Sequence, residues 1–377
     1  MTMFTRRVAT CSFGTLGILG LTLCARAMPP LYHLTDLGLL PTGSTSLGQG
    51  INQSRTVVGY ADKADGMQHA FRYSNGAMID MGDFGGHSGA AEAINDAGTI
   101  AGYASLPNGH INAFSYSGGV MTNLGALGGG TSAGYGINAG GTVVGTAETT
   151  GGEVHAFSYS NGSMTDLGSL GGASSVARAV NSAGMVVGYS SLLPALNVNA
   201  SHAFYYSGGA MTDMGTLGGS SSTAVGVNSG GAIAGWASIG GDSTTHAFVY
   251  RNGVMNDLGA RNGSESACYA INDSGFVVGQ FSPDPNTLLA MYDDGTTMYD
   301  LNSLVDASGA GWTLQRAYGI NSNGDITGYG VDPNGASHAV LLSVTTPEPG
   351  SWSLLLCLAA SGGACAVHRR RRGGARR

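Results

Sequence analysis

The chain has 377 residues, 65 of them glycine, with 42 % hydrophobic and only 10 % charged residues and a formal charge of −7. High apolar content excludes charge-driven disorder, ten prolines without a Gly-X-Y triplet exclude collagen, and glycine in nearly every ten-residue block argues against long helices. What remains is a large, glycine-punctuated β protein with ample material for a core.

Residues 1–27 read as a secretory signal. Arg6 and Arg7 supply the positive start, an apolar run extends from Val8 to Cys24, and Ala25-Arg26-Ala27 fits an A-x-A site. Cleavage after Ala27 leaves Met28 as the mature start. The alternative is an uncleaved anchor; the short apolar run, with no spanning segment after it, favours cleavage. Leu21-Thr22-Leu23-Cys24 is only faintly lipobox-like, because Leu23 is large for the residue before a lipidated cysteine.

Residues 28–345 hold seven copies of one unit. An asparagine after an aliphatic residue recurs at Asn52, Asn95, Asn138, Asn181, Asn228, Asn272 and Asn321, spaced by 43 to 49 residues. HAF and its variants begin at His69, Asn112, His155, His202, His246, Leu289 and His338. An MxDLG-like element is centred on Asp80, Asn123, Asp166, Asp213, Asp257 and Asp300, and an isolated copy, YHLTDLG, leads the chain around Asp36. Each unit carries four strand-length runs, a to d; in the third they are SAGYGIN, TVVGTA, HAFSYS and SMTDLG.

Turn chemistry separates the runs. Between c and d lie Asn75-Gly76, Gly118-Gly119, Asn161-Gly162, Gly208-Gly209, Asn252-Gly253 and Asp294-Gly295, all suited to type I′ hairpins. Between a and b the pattern Asn-x-x-Gly predicts a type I turn closed by a left-handed residue. The first unit has Arg55 at that place, which predicts a turn that is either strained or of a different kind.

Four antiparallel strands per repeat of this length is the arithmetic of a propeller blade. The last unit lacks a d strand and the front of the chain has a d strand without a blade. A seven-bladed β-propeller of four-stranded antiparallel blades closes if strand 32–38 becomes the outer strand of the last blade. The rival is a β-solenoid, which needs no such circular pairing. In the propeller, strand a lines the axis. The residue before each aliphatic is then always small: Gly50, Ala93, Gly136, Ala179, Gly226, Ala270, Gly319. One place earlier the residue varies: Gln49, Glu92, Tyr135, Arg178, Val225, Tyr269, Tyr318. A fixed frame with one varying site is where specificity would reside. The HAF, DLG, LGG and IN elements over about residues 32 to 344 resemble the HAF-repeat extracellular proteins. That resemblance implies export and repetition without an established chemistry. The sixth unit departs most from the pattern, with Leu289-Ala290-Met291 in place of HAF.

Residues 346–377 form a second addressing device. Pro347-Glu348-Pro349 precedes an apolar stretch from Trp352 to Val367 and then Arg369 to Arg372. Physically this is a short membrane helix with a positive stop. The order resembles a PEP-CTERM sorting tail of Gram-negative bacteria. That implies an exosortase-type processing partner, transient inner-membrane anchoring, and release to the cell surface or an exopolysaccharide matrix. A plain C-terminal anchor is the alternative. Between Met28 and Pro349 seven basic residues face all 23 acidic ones, a formal −16, and Lys63 is the only lysine. That balance disfavours nucleic acid and anionic membranes as partners. Cys268 alone lies between the two addresses, so no internal disulfide framework is expected.

The repeated His and Asp fall once per unit, which predicts structural roles within each blade, the His bonding to a backbone carbonyl or to the nearby Asp of strand d, rather than one metal site or one catalytic centre. No metal or cofactor is expected, with calcium at Asp62, Asp65, Asp293 and Asp294 a weaker alternative, because no loop matches a known calcium repeat. Gly130-Thr131-Ser132-Ala133-Gly134 matches G-x-S-x-G in letters only, because it runs into a strand-length segment with no helix to form a nucleophile elbow, and no H-E-x-x-H or Cys–His arrangement occurs. The candidate binding residues are Glu92, Tyr135, Arg178, Tyr269 and Tyr318 at the varying place, with Trp312, in the 303–313 connection, positioned to stack on a sugar ring. For the first five the alternative is inter-blade packing, and for Trp312 a loop-tucking role. The d–a and b–c connections share one face; the longest b–c loop is 190–201. The expectation is a non-catalytic surface or matrix scaffold that binds polysaccharide or a surface protein. The alternative is an extracellular polysaccharide-active enzyme with one site at the channel mouth.

Overall fold

Each unit is cut by its turns. In the computed structural model, which describes residues 29–193, 200–261 and 263–345, five of the six c–d pairs have positive φ at both central residues, as in Asn161 (52°) and Gly162 (80°). The sixth differs from the expectation. At Asp294-Gly295 only the glycine is left-handed, and the loop lengthens to residues 294–297, which Asp294 organises by accepting the Thr296 and Thr297 N–H groups. Arg55 does adopt the strained left-handed conformation, at φ 61°. Its guanidinium Nε lies 3.0 Å from Asp325 Oδ2, and that carboxylate is fully buried.

The described residues form 28 strands and no α-helix. They make five four-stranded antiparallel sheets and one of eight strands. The eight-stranded sheet consists of units three and four, joined by the single parallel pairing of Val154 with Ser174. Within every unit the strands lie in the order a, b, c, d.

The leading strand closes the seam. Tyr32–Asp36 pairs antiparallel with Ser337–Val344, Tyr32 opposite Val344 and Asp36 opposite Val340. The strand ends two residues before the expected limit of 38, although Leu37 N still donates to Ala339 O at 3.0 Å. This places residue 32 in the outer position of a sheet whose other strands begin at residue 313.

The core lies between neighbouring units. Ala101 and Ala113 of the second unit pack with Val143, Ala147 and Phe157 of the third. The HAF phenylalanines Phe71, Phe114, Phe157, Phe204 and Phe248 are fully buried, each worth about 1.5–3 kcal/mol of transfer free energy. A side chain on Gly145 would strike the Ala133 carbonyl and the Phe157 ring, which is why strand b reads V-V-G.

Two repeated polar devices join unit to unit. In the first, Ser132 Oγ accepts from Ala113 N at 2.9 Å and donates to Gly125 O, and the same latch recurs at Ser175, Ser222 and Ser266. It crosses the seam at Ser46, between Ala339 N (2.9 Å) and Gly38 O (2.6 Å). In the second, Asn52 Nδ2 donates to Asn95 O at 3.3 Å, Asn95 to Asn138 O at 3.0 Å, and Asn138, Asn181, Asn228 and Asn272 each to the next at 3.1 Å. Asn321 then returns to Asn52 O at 3.1 Å, so the bonds form a closed ring. Each Asn Oδ1 also accepts the N–H four residues on, capping its own a–b turn.

No helix among the described residues is long and apolar enough to cross a membrane. The signal segment with Ala27, the Pro347-Glu348-Pro349 tail with its Arg cluster, and residues 194–199 of the long b–c loop lie outside the described residues.

Candidate functional site

The varying residue of strand a is a β-bulge in every unit. The pairing of strands a and b slips by one between Gly48 and Gly50, Ala91 and Ala93, Gly134 and Gly136, and Ala177 and Ala179. It slips likewise between Ala224 and Gly226, Cys268 and Ala270, and Ala317 and Gly319. Gln49, Glu92, Tyr135, Arg178, Val225, Tyr269 and Tyr318 are therefore the unpaired residues, and a bulge re-aims such a side chain out of the sheet. All seven line one cavity of about 690 Å³. They also line a waist of about 260 Å³, which shares its aliphatic residues with a chamber at the asparagine ring. The small residue after each bulge is a packing requirement: a Cβ on Gly136 would come within 2.8 Å of Arg178 O of the next unit.

A second tier comes from strand b. The residue after its glycine is Tyr60, Tyr103, Thr146, Tyr189, Trp236, Gln280 or Tyr329. Tyr60, Tyr103, Tyr189 and Trp236 line the large cavity. Tyr329 stacks on Tyr318, with centroids 6.2 Å apart and planes at 23°. Sequence reasoning passed over this tier, although the signal was present: it is the varying residue in an otherwise uniform aliphatic-x-Gly-x run. Arg316 was passed over too. It stands three places before the small Gly319, where other units carry Leu47, Ala90, Ala133, Val176, Thr223 and Ala267. An additional register shift between Leu314 and Arg316 sets it apart.

The cavity has two cationic poles. At one, the Arg178 guanidinium lies 4.7 Å from the centroid of Tyr135 and 5.8 Å from that of Tyr189, within cation–π range. At the other, Arg316 Nη1 donates to Tyr318 Oη at 3.1 Å, and the Tyr269 ring packs tilted at 40° against Tyr318, centroids 5.1 Å apart, while its hydroxyl donates to Gln280 Oε1 at 2.8 Å. Arg316 Nε is buried with no hydrogen-bond partner. Burial pushes the Glu92 carboxyl up to about 7, against the pull of Arg178. Burial also raises the Tyr103 and Tyr135 phenols and brings Tyr269 to about 12. Glu92 is the one carboxylate among the lining residues.

The structure thus brings Glu92, Tyr135, Arg178, Tyr269 and Tyr318 together and leaves Trp312 apart. The indole is half-buried against the last sheet, edge-on to the His338 ring at 6.0 Å. The repeated His and Asp pair within sheets: His155 with Asp166 at 2.8 Å, and His202 with Asp213 and His246 with Asp257 at 2.9 Å. In the first unit His69 shares Asp80 with Lys63, and in the second Asn112 stands against Asn123. His338 pairs with Asp36 at 3.0 Å, across 302 residues of sequence. Asp62, Asp65, Asp293 and Asp294 each accept backbone N–H groups of nearby loops. Among the described residues no group of three or more His, Cys, Asp or Glu is placed to hold a metal ion.

No protein-family model and no curated protein matches this chain. Among solved structures, it is similar to the β-propeller domain of the Trilobed protease from Pyrococcus furiosus, described there with an open velcro topology. The match covers 85 % of this chain and 99 % of that one at 9 % identity, with TM-score 0.56. TolB from Acinetobacter baumannii matches at 12 % identity over 80 % of this chain and 64 % of that one, with TM-score 0.41. AofleA from Arthrobotrys oligospora matches at 14 % identity over 71 % and 88 %, with TM-score 0.41. The first likeness shows the fold: this is an all-β chain of β-propeller type.

Proposed function

We propose that the chain is an exported, seven-bladed propeller that acts as a non-catalytic binding scaffold and takes polysaccharide at its channel mouth. The eight-stranded sheet counts as two blades in this reading. The observation that carries the function is the convergence of seven bulged, varying side chains on one aromatic cavity. Its volume falls within the range of about 300–1,000 Å³ usual for ligand pockets. A rigid frame with one varying place per repeat separates stability from recognition. Aromatic faces interleaved with polar groups suit the mixed surface of a sugar. The repeat and tail resemblances support export, exosortase-type processing and a surface or exopolysaccharide-matrix location. Mass spectrometry of the exported chain should find Met28 as its first residue and the apolar tail removed.

A second reading, an extracellular polysaccharide-active enzyme, draws on Glu92, whose carboxyl near 7 suits a general acid. Glycoside hydrolysis ordinarily needs two carboxyl groups, and this cavity holds one. The two readings separate in one assay. The full chain is incubated with a polysaccharide panel, measuring reducing ends and, by glycan array, retention. Saturable retention without cleavage supports the scaffold. Cleavage that disappears in Glu92→Gln overturns it.

A further inference from the structure

Resting on the polysaccharide reading, we propose that the cavity selects a carboxylate-bearing saccharide, a uronate-type residue, with Arg316 as its anion-binding residue and Arg178 as the second cation. The charge distribution is the first argument. Over the chain between its addresses acids outnumber bases by 23 to seven, yet this cavity reverses the ratio, with two of the seven cations and a single acid. Among the described residues neither arginine has a carboxylate within ion-pair distance, whereas Arg55 and Lys63 each do.

The state of Arg316 is the second argument. A guanidinium offers five N–H donors in a planar fork that matches a carboxylate. Here Nη1 is engaged by Tyr318 and Nε is buried without an acceptor. A buried unmet donor costs free energy that a bound anion would recover. The residue is also singular: the other six units carry small or aliphatic side chains or a threonine at this place, so packing in the frame does not require an arginine. Asymmetry is the third argument. Repetition alone would give a ring of equal subsites, but Arg316, Arg178 and Glu92 give the cavity a polarity that a sugar with one charged substituent can read. The aromatic second tier supplies faces for its ring.

The experiment titrates the full chain calorimetrically with trigalacturonate, its fully methyl-esterified form, and the neutral trisaccharide maltotriose. Free acetate and inorganic phosphate serve as simple anions. The expected result is binding of trigalacturonate at least tenfold tighter than of the ester or maltotriose. That preference should weaken as salt rises and shrink at least tenfold in Arg316→Gln. Arg316→Lys, which keeps the charge and loses the fork, should recover part of it. Equal binding of the acid, ester and neutral sugar overturns the charge selection and leaves the polysaccharide reading standing. Binding of acetate or phosphate as tight as trigalacturonate overturns the saccharide part. Absence of binding by any saccharide overturns both readings. The acid-against-ester comparison is made on the unmutated chain, so it does not depend on a variant that folds.

Discussion

Two side chains sit where physical cost is highest, and each has a measurable consequence. Glu92 holds its proton to about pH 7 in the folded chain, above its ordinary value of 4.5. The native state therefore favours the neutral carboxyl, and its stability falls as pH rises from about 4.5 to about 7. Glu92→Gln removes that slope. Urea unfolding should find variant and parent alike near pH 4.5, and the variant more stable at pH 8 by about 1–3 kcal/mol. Arg55 carries the opposite trade. Glycine at this place would relieve the positive φ, a gain of about 1 kcal/mol. It would also strip the buried Asp325 carboxylate of its cation. Arg55 is half exposed, so the loss is on the order of 2 kcal/mol, below that of a fully buried pair. Arg55→Gly should thus lower stability, and adding Asp325→Thr, the residue the first three units use at that place, should restore it. A double variant no more stable than the single would contradict this account of the pair.

At the scale of the element, the leading strand decides the seam. Tyr32, Leu34 and Leu37 are buried, Tyr32 packs edge-on against Tyr292 at 6.2 Å, and Asp36 supplies the partner for His338. Without residues 29–38 the Ser337–Val344 strand becomes an open edge, a template for association between chains. Removal of those residues should lower Tm by about 10 °C or more and produce aggregates in light scattering. A synthetic peptide of residues 29–40 should restore the monomer. A truncated chain with unchanged Tm would show that the seam is closed by other contacts. The c–d hairpins illustrate the limit of local rules. Five follow their Asn-Gly or Gly-Gly pair. The sixth, with aspartate at the first place, trades left-handed geometry for an Asx-type loop held by the carboxylate.

Over the whole molecule, the asparagine ring ties every unit to the next and the last to the first. Asn138 contributes twice, donating to Asn181 O and accepting from Thr142 N. Asn138→Ala should cost about 2 kcal/mol, two buried hydrogen bonds at about 1 kcal/mol each, by chemical denaturation. Asn138→Asp keeps the acceptor but faces a carboxylate toward a carbonyl. It should be less stable than the alanine variant at pH 7 and recover below pH 4, where the protonated acid donates again. Equal stability of the two variants at both pH values would mean that the ring bond contributes nothing.

The sequence by itself determined the repeat, its four runs, the turn residues and the place of the unpaired leading strand. These depend on local backbone chemistry and on a count that must close. It also marked the residue of strand a that varies, because uniform neighbours made it visible. Only the tertiary structure decided what those residues do together. A bulge is defined by a partner strand, so the inward aim of Glu92, Arg178 and the tyrosines appears only once strands a and b are paired. Arg316, the strand-b tier and the serine latches are ordinary letters in the chain, and they gain meaning only when the paired units pack against one another and line one cavity. Trp312 shows the converse. An aromatic in a long connection reads equally as a sugar platform or a tucked side chain, and only the packing of the last sheet shows it lying against His338 and away from the cavity.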